Sequence, residues 1–146
     1  MIVNADGAAS SMIDAASMHF STGGALVLVV EDEELVRQFA VETLRDAGFE
    51  VLEAASAQDA LQILEQRSDL KVMVTDVRMP GPVNGYFLAK RVRERWPYVE
   101  IILVSGYAAP SRQDINVEWD FLVKPYESDE LVRRVQSLAR RGVSAR

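Results

Sequence analysis

The chain has 146 residues, of which 49% are hydrophobic and 26% are charged, and this balance is typical of a single globular domain. It contains no cysteine, which excludes disulfides and cysteine nucleophiles and suits a cytoplasmic protein. A formal net charge of −6 and the absence of an apolar run of roughly 20 residues argue against nucleic-acid and membrane binding.

The first part of the chain predicts an extension, a strand and a helix. Residues 1–24 are rich in Ala, Ser and Gly without stable periodicity, and we expect them to form a flexible extension. The apolar run 25–30 is too short for a helix and fits a strand that is buried on both faces. Helical spacing over 33–47 then ends at Gly48, a residue suited to terminating helices.

Strands and helices continue to alternate along the rest of the chain. The further predicted strands span 49–54, 71–75, 101–104 and 120–123. The further predicted helices are 57–66 after a Ser56 cap, 85–95, a weak short segment at 111–117, and a last helix capped by Ser128. Five strands alternating with five helices predict a doubly wound α/β domain over residues 25–140, built on a five-stranded parallel sheet and followed by a short tail at 141–146.

Polar residues stand at the carboxyl ends of the predicted strands. In an open parallel sheet ligands bind beyond these ends, so the residues that follow each strand are candidates for a site. They are Glu31, Asp32, Asp76, Ser105 and Lys124. Three carboxylates that converge repel one another unless a cation is present, and Mg²⁺ prefers oxygen ligands of this kind.

This set of residues suits phosphoryl transfer. A metal ion would neutralise phosphate oxygens, Asp76 would attack phosphorus, and the Lys124 ammonium would balance the developing charge. Ser105 and Lys124 would hold oxygens of the bound phosphoryl group, and Gly106 leaves the adjacent backbone open to it. Taken alone, Asp76 would be interpreted as a turn cap, because Asp commonly has that role.

Four motifs in order resemble those of receiver domains of two-component response regulators, which have a CheY-like fold. They are VEDE at 30–33, TDVRMP at 75–80, VSG at 104–106 and FLVKP at 121–125. The resemblance covers about residues 25–140 and implies the flavodoxin-like strand order 2-1-3-4-5. It also implies a phosphorylation-controlled signalling switch, which we expect to be a stand-alone receiver.

The resemblance implies a role for each matching acid. Asp76 resembles the phospho-acceptor, and Glu31 and Asp32 resemble the acidic pair that binds Mg²⁺ or Mn²⁺. Asp76 belongs to the same metal site, and Arg78 would contribute its backbone carbonyl to it.

The resemblance assigns the switch to residues after the fourth strand and around the fifth. Ser105 and Lys124 resemble the hydroxyl and the lysine that respond to phosphorylation, with Gly106 beside the phosphoryl group. Phe121 matches the switch aromatic, although an aromatic residue in a strand is ordinarily part of the core. The bond between Lys124 and Pro125 is usually cis in this family.

Two segments depart from the common pattern or have weak signals. The loop 79–85 is one residue longer than usual, and the helix predicted at 111–117 has low helical propensity, so we expect phosphorylation to order residues 106–118. Arg78 and Tyr107 should flank the path of hydrolytic water. We predict that both tune the lifetime of the phosphoryl group, with bulk at Tyr107 slowing its loss.

The expected partners are implied by the same resemblance. A histidine kinase or a phosphotransfer protein would donate the phosphoryl group, and a downstream protein or a homodimer would receive the signal. The output face would combine helix 111–117, strand 120–123 and the last helix. The chain would catalyse only its own phosphoryl transfer and slow autodephosphorylation, without direct DNA binding.

Three alternatives compete with this interpretation. A Mg²⁺-dependent phosphatase with an Asp nucleophile usually carries a second acid two residues later, where this chain has Arg78. A flavin- or nucleotide-binding module needs a Gly/Ser/Thr-rich loop after the first strand, where this chain has EDEE at 31–34. A receiver that works without phosphorylation is the third alternative, although every residue needed for the chemistry is present.

Overall fold

The computed structural model describes residues 24–79, 84–106 and 119–144. The strands are β1 (Leu26–Val30), β2 (Glu50–Ala54), β3 (Leu70–Asp76), β4 (Glu100–Ser105) and β5 (Asp120–Val123). The helices within this part of the chain are α1 (Glu34–Asp46), α2 (Ala57–Gln66), α3 (Gly85–Arg95) and α4 (Ser128–Ser144).

The strands form one parallel sheet in the order β2-β1-β3-β4-β5. The predicted α/β class and strand order are therefore confirmed. Every residue of β1 is buried, and only one residue in each of β3 and β4 is partly exposed, because these central strands are covered on both faces. The edge strands β2 and β5 carry exposed residues, which explains their weaker apolar pattern.

Two helical layers cover the sheet. Because successive side chains of a strand point to opposite faces, Leu28 and Met73 pack in one cluster with α2 and α3, and Val29 and Val74 pack in the other with α1 and α4. The two clusters share only the sheet between them. The frame that carries the strand ends is thus held from both sides.

Local signals set the helix boundaries. The Ser56 side chain accepts a hydrogen bond from the Asp59 N–H, as the capping pattern predicts, and Asn84 caps α3 in the same way through the Phe87 N–H. Gly48 has a φ of 101°, a conformation that favours glycine after a helix.

Some predicted elements fall elsewhere or lie outside the described part. The helix predicted at 111–117, the extension before residue 24 and the residues after 144 are outside the described residues. Helix α4 continues to Ser144, into the segment predicted as a tail, because Leu138 and Ala139 still pack in the core and arginine is a good helix former. Among the described residues, no helix is both long and apolar enough to cross a membrane.

The sheet core predicts a large difference between two leucine substitutions. Leu103 in β4 is fully buried, whereas the Leu35 side chain in α1 is 80% exposed. We expect Leu103→Ala to lower the free energy of unfolding by about 3 kcal/mol, because it leaves a cavity, and Leu35→Ala to change it by less than about 0.5 kcal/mol. Urea unfolding followed by circular dichroism measures both, and equal losses would contradict this account of the core.

Candidate functional site

Three carboxylates meet at the carboxyl edge of the sheet. In the pairing of β1 with β3, Val30 is level with Thr75, so that Glu31 and Asp76 become neighbours at the strand ends. Oxygen atoms of Glu31, Asp32 and Asp76 all lie within 4.8 Å of one another. Glu31 and Asp76 are buried, with 5% and 9% of their surface exposed, whereas Asp32 is open to solvent.

Lys124 places an ammonium group between the two buried acids. Its Nζ lies 3.2 Å from Oε1 of Glu31 and 3.3 Å from Oδ2 of Asp76. The backbone N–H of Lys124 donates to the carbonyl of Ser105 at 2.7 Å, which anchors the start of the loop after β5 to the end of β4. The bond between Lys124 and Pro125 is cis, as the family resemblance implies.

The charges of the site do not balance. Burial raises the pKa of Glu31, and the neighbouring Asp76 carboxylate raises it further, while the Glu33 N–H and Lys124 act in the opposite direction. Burial alone would lower the pKa of Lys124, but the carboxylates of Asp76 and Glu31 outweigh burial and raise it. The cluster thus contains three carboxylates and one ammonium group, so this edge of the sheet keeps a net negative charge.

The Glu31 side chain and backbone are held by several groups. The N–H of Glu33 donates to Oε2 of Glu31 at 3.1 Å, and the N–H of Glu31 itself donates to the carbonyl of Ala54 at 3.0 Å. A guanidinium N–H of Arg37 donates to the Glu31 carbonyl at 2.9 Å. These bonds allow a carboxylate to be buried at the strand end, since a buried charge needs hydrogen-bond partners.

The residues predicted to bind the phosphoryl group lie around this cluster. Ser105 ends β4 one residue beyond Val104, which pairs with Asp76, so the hydroxyl-bearing residue is adjacent to the acid. Gly106 follows and is exposed, and apart from its chain neighbours no atom of the described residues lies within 4 Å of the position a Cβ would take. Arg78 is exposed two residues after Asp76, and Tyr107 is outside the described residues.

Phe121 is half-buried and packs against the cluster of α2 and α3, as an ordinary core residue does. Its backbone carbonyl accepts a 2.6 Å hydrogen bond from Nη1 of Arg134 in α4. The structure therefore links the residue predicted as the switch aromatic to the last helix through its backbone.

Three residues near the site had no functional signal in the sequence. A Cβ on Gly85 would collide with the carbonyl oxygen of Asp76 and lie 2.8 Å from Cα of Val77, so only glycine lets α3 begin so close to the acid. Arg37 and Arg134 bind backbone carbonyls of Glu31 and Phe121. In the sequence Gly85 is simply the glycine between the loop 79–85 and the helix predicted at 85–95, and nothing in the helical periodicity distinguishes the two arginines.

The donor set fits a hard divalent cation. All three groups offer carboxylate oxygens, which Mg²⁺ and Mn²⁺ prefer, and exposed Asp32 gives access from solvent. The excess negative charge at the cluster favours a cation at this position. The Arg78 backbone carbonyl stays a predicted ligand.

The acidic cluster contacted by Lys124 lies at the carboxyl edge of a doubly wound sheet. This combination of fold and site defines a class of α/β domain. The sequence matches the family model described as the response regulator receiver domain over residues 27–136. The chain therefore belongs to the response regulator receiver domain family. Members of this family are signalling switches rather than conventional enzymes.

Relatives and a solved structure agree with this assignment. The sensor kinase CckA of Brucella abortus is 36% identical over 121 residues, which are 80% of this chain and 13% of that protein. The response regulator protein FleR of Pseudomonas aeruginosa is 34% identical over 111 residues, or 74% of this chain and 23% of that protein. A response regulator receiver protein from Sinorhizobium medicae superimposes with a TM-score of 0.75 at 29% identity, covering 82% of this chain and 97% of that chain.

The close approach of Gly85 to the backbone of Asp76 predicts whether a substitution at Gly85 raises or lowers the free energy of unfolding. Alanine is normally better than glycine in a helix, so Gly85→Ala would stabilise the protein if space were available. We expect it instead to lower the free energy of unfolding by about 1–3 kcal/mol, because the added methyl displaces the Asp76 backbone. Gly106→Ala, which meets open space, is the matched control, and a stabilising Gly85→Ala in urea unfolding would contradict the close approach.

Proposed function

We propose that this chain is a phosphorylation-controlled switch of a two-component system, in which Asp76 accepts a phosphoryl group. The observation that carries the proposal is the position of Asp76 beside Glu31, Asp32 and the Lys124 ammonium at one edge of the sheet. Family membership supports the same function. The chain spans less than a quarter of the length of each of the first two curated relatives it matches.

The carboxylates of Glu31, Asp32 and Asp76, with the backbone carbonyl of Arg78, would hold Mg²⁺ or Mn²⁺. When bound, the ion supplies positive charge to the oxygens of the incoming phosphoryl group and to the crowded carboxylates. Exposed Asp32 provides the entry side. Buried Asp76 presents its carboxylate in an environment with little competing water, which strengthens the electrostatic interactions of the site.

The transfer is an attack of an Asp76 carboxylate oxygen on phosphorus. The new oxygen–phosphorus bond forms while the nitrogen–phosphorus bond of a donor phosphohistidine breaks, and the imidazole leaves with the electron pair and takes up a proton. Lys124 already lies at Oδ2 of Asp76, so its ammonium is placed to bind an oxygen of the transferred group. Ser105 and Gly106 supply the other side of that group.

The signal would leave through the bonds that join the site to β5 and α4. The hydrogen bond from Lys124 to the Ser105 carbonyl couples the two residues that respond to the phosphoryl group. The Arg134 bond to the Phe121 carbonyl continues the connection to α4. We propose that phosphorylation repositions this path and the output face, which is predicted to combine residues 111–117 with β5 and α4 and to bind a downstream protein or a second copy.

An apolar groove beside the site supports a protein as the phosphoryl donor. It has a volume of about 570 Å³ and is lined by Leu35, Val36, Phe39, Gly106, Lys124, Pro125 and Tyr126. Leu35 is 80% exposed and Phe39 is 47% exposed, and the Phe39 ring lies 6.2 Å from that of Tyr126. Large exposed apolar side chains next to the reacting acid suit a helical protein partner that brings a phosphohistidine to Asp76.

A Mg²⁺-dependent phosphatase is the alternative function. Its general acid would occupy the position of Arg78, whose guanidinium cannot donate a proton at neutral pH. We propose that Arg78 instead tunes hydrolysis of the phosphoryl group, together with Tyr107.

The acceptor is tested with a small phosphodonor. With acetyl phosphate and Mg²⁺, the native chain should gain one phosphoryl group, detected by intact-protein mass spectrometry, and chelation of the metal should abolish the gain. Asp76→Asn should stay unlabelled, because its amide oxygen is a far weaker nucleophile than a carboxylate. Sustained hydrolysis of a generic phosphate ester, without a stable labelled species, would favour the phosphatase and overturn the switch.

The groove is tested by comparing two donors. Leu35→Ala should be labelled by acetyl phosphate at the native rate, because the Leu35 side chain supplies no charged or hydrogen-bonding group to the site. Transfer from a phosphorylated histidine phosphotransfer domain that labels the native chain should slow by about tenfold, the loss expected for an apolar anchor of an interface. Equal rates for Leu35→Ala and the native chain with the protein donor would exclude the groove as its docking site.

A further inference from the structure

Arg37 in α1 links the end of β1 to the side chain of a β2 residue. Its Nη1 donates to the carbonyl oxygen of Glu31 at 2.9 Å, and its Nε donates to Oε1 of Glu53 at 2.9 Å. Only 17% of the Arg37 side chain is exposed. The guanidinium is therefore fixed by two acceptors directly behind the acidic edge.

This interaction differs from two other arginine ion pairs of the described residues. Arg67 with Asp69 and Arg95 with Glu65 are ion pairs in which each side chain is at least 40% exposed, and such surface pairs contribute little to stability. Arg37 is mostly buried, and one of its partners is a backbone carbonyl in the candidate metal site. The position of the Arg37 guanidinium thus depends on the backbone of a candidate metal ligand as well as on the Glu53 side chain.

The Glu31 carbonyl belongs to the peptide that connects two of the three candidate metal ligands. A peptide unit is planar, so the carbonyl of Glu31 and the N–H of Asp32 belong to one rigid plane. The N–H of Glu31 is already held by Ala54. Arg37, by holding the carbonyl, restrains the peptide plane that joins the Cα atoms of Glu31 and Asp32, from which both carboxylates project.

We propose that Arg37 is a positioning residue for the divalent-metal site. It touches neither a carboxylate of the cluster nor, when the site is filled, the ion; it acts through the peptide that carries Glu31 and Asp32. Outer-shell groups of this kind typically change metal affinity by about 10- to 100-fold when removed. The inference rests on the proposed function, since it requires that the acidic cluster bind a metal.

The direction in which metal affinity changes when Arg37 is replaced distinguishes a positioning role from a purely electrostatic role. A cation close to the cluster repels a divalent ion, so if Arg37 acted through its charge alone, removing the charge would tighten metal binding. The ion pair with Glu53 offsets much of that charge. Positioning predicts the opposite sign, namely weaker binding after removal.

The test is titration of the full chain with Mn²⁺ by isothermal calorimetry. We expect Arg37→Gln to weaken Mn²⁺ binding by about tenfold. Arg37→Lys keeps the charge but cannot bridge two acceptors with a planar fork, so its affinity should fall between those of the native chain and Arg37→Gln. Arg37→Lys also preserves the test if Arg37→Gln fails to fold.

Arg45→Gln is the matched control. Arg45 lies on the same helix, about two turns further along α1, and its Nη2 donates to the carbonyl of Val51 in β2 at 3.0 Å. Arg45→Gln therefore also loses a hydrogen bond from arginine to a backbone carbonyl, but one away from the acidic cluster. We expect Arg45→Gln to bind Mn²⁺ like the native chain, with thermal unfolding recorded for all variants.

Native or tighter Mn²⁺ binding by Arg37→Gln would overturn the inference, and so would an equal weakening by Arg45→Gln. Failure of the native chain to bind Mn²⁺ has a different meaning, because it would remove the proposed metal site and the inference together. The two failures are therefore distinguishable in one experiment.

Discussion

The contact of one lysine with two buried carboxylates is the interaction on which the site depends. Lys124 lies against Glu31 and Asp76 and partly neutralises two acids that burial alone would disfavour as anions. It leaves the third carboxylate, Asp32, uncompensated at the open side. The edge of the sheet thus combines a fixed cation with a surplus of negative charge, which suits a second, exchangeable cation.

This electrostatic arrangement depends in turn on a rigid frame. The central strands β1 and β3 are buried and paired in register up to Val30 and Thr75, so Glu31, directly after β1, and Asp76, the last residue of β3, lie side by side. Helix α3 approaches the backbone of Asp76 through Gly85, and Arg37 holds the peptide after Glu31. Close packing of this kind allows little movement at the acids.

A hydrogen bond between the ends of β4 and β5 gives the proposed switch a physical route. The main-chain bond from Lys124 to Ser105 means that a ligand pulling on either residue moves the other. Arg134 extends the connection from the backbone of β5 to α4. Exposed Leu35 and Phe39 line the same groove as Lys124 and offer an apolar surface for a donor. Input and output would therefore meet at the same lysine.

The sequence by itself determined the fold class, the order of the described elements and the candidate acids. Continuous apolar runs indicate buried parallel strands, helical periodicity indicates the covering helices, and the rule that ligands bind at strand ends selects Glu31, Asp32, Asp76 and Lys124. These inferences need only local pattern and topology. The assigned roles of these residues, and the helix predicted at 111–117, stay predictions.

Only the tertiary structure decided which backbone atoms the supporting residues contact. Gly85 could be a loop glycine, and Arg37 and Arg134 could be solvated helix residues, because the sequence does not give distances between chain segments. The structure brings Gly85 against Asp76, Arg37 to the Glu31 carbonyl and Arg134 to the Phe121 carbonyl. Such contacts depend on how strands and helices pack, and packing is decided by the whole core at once.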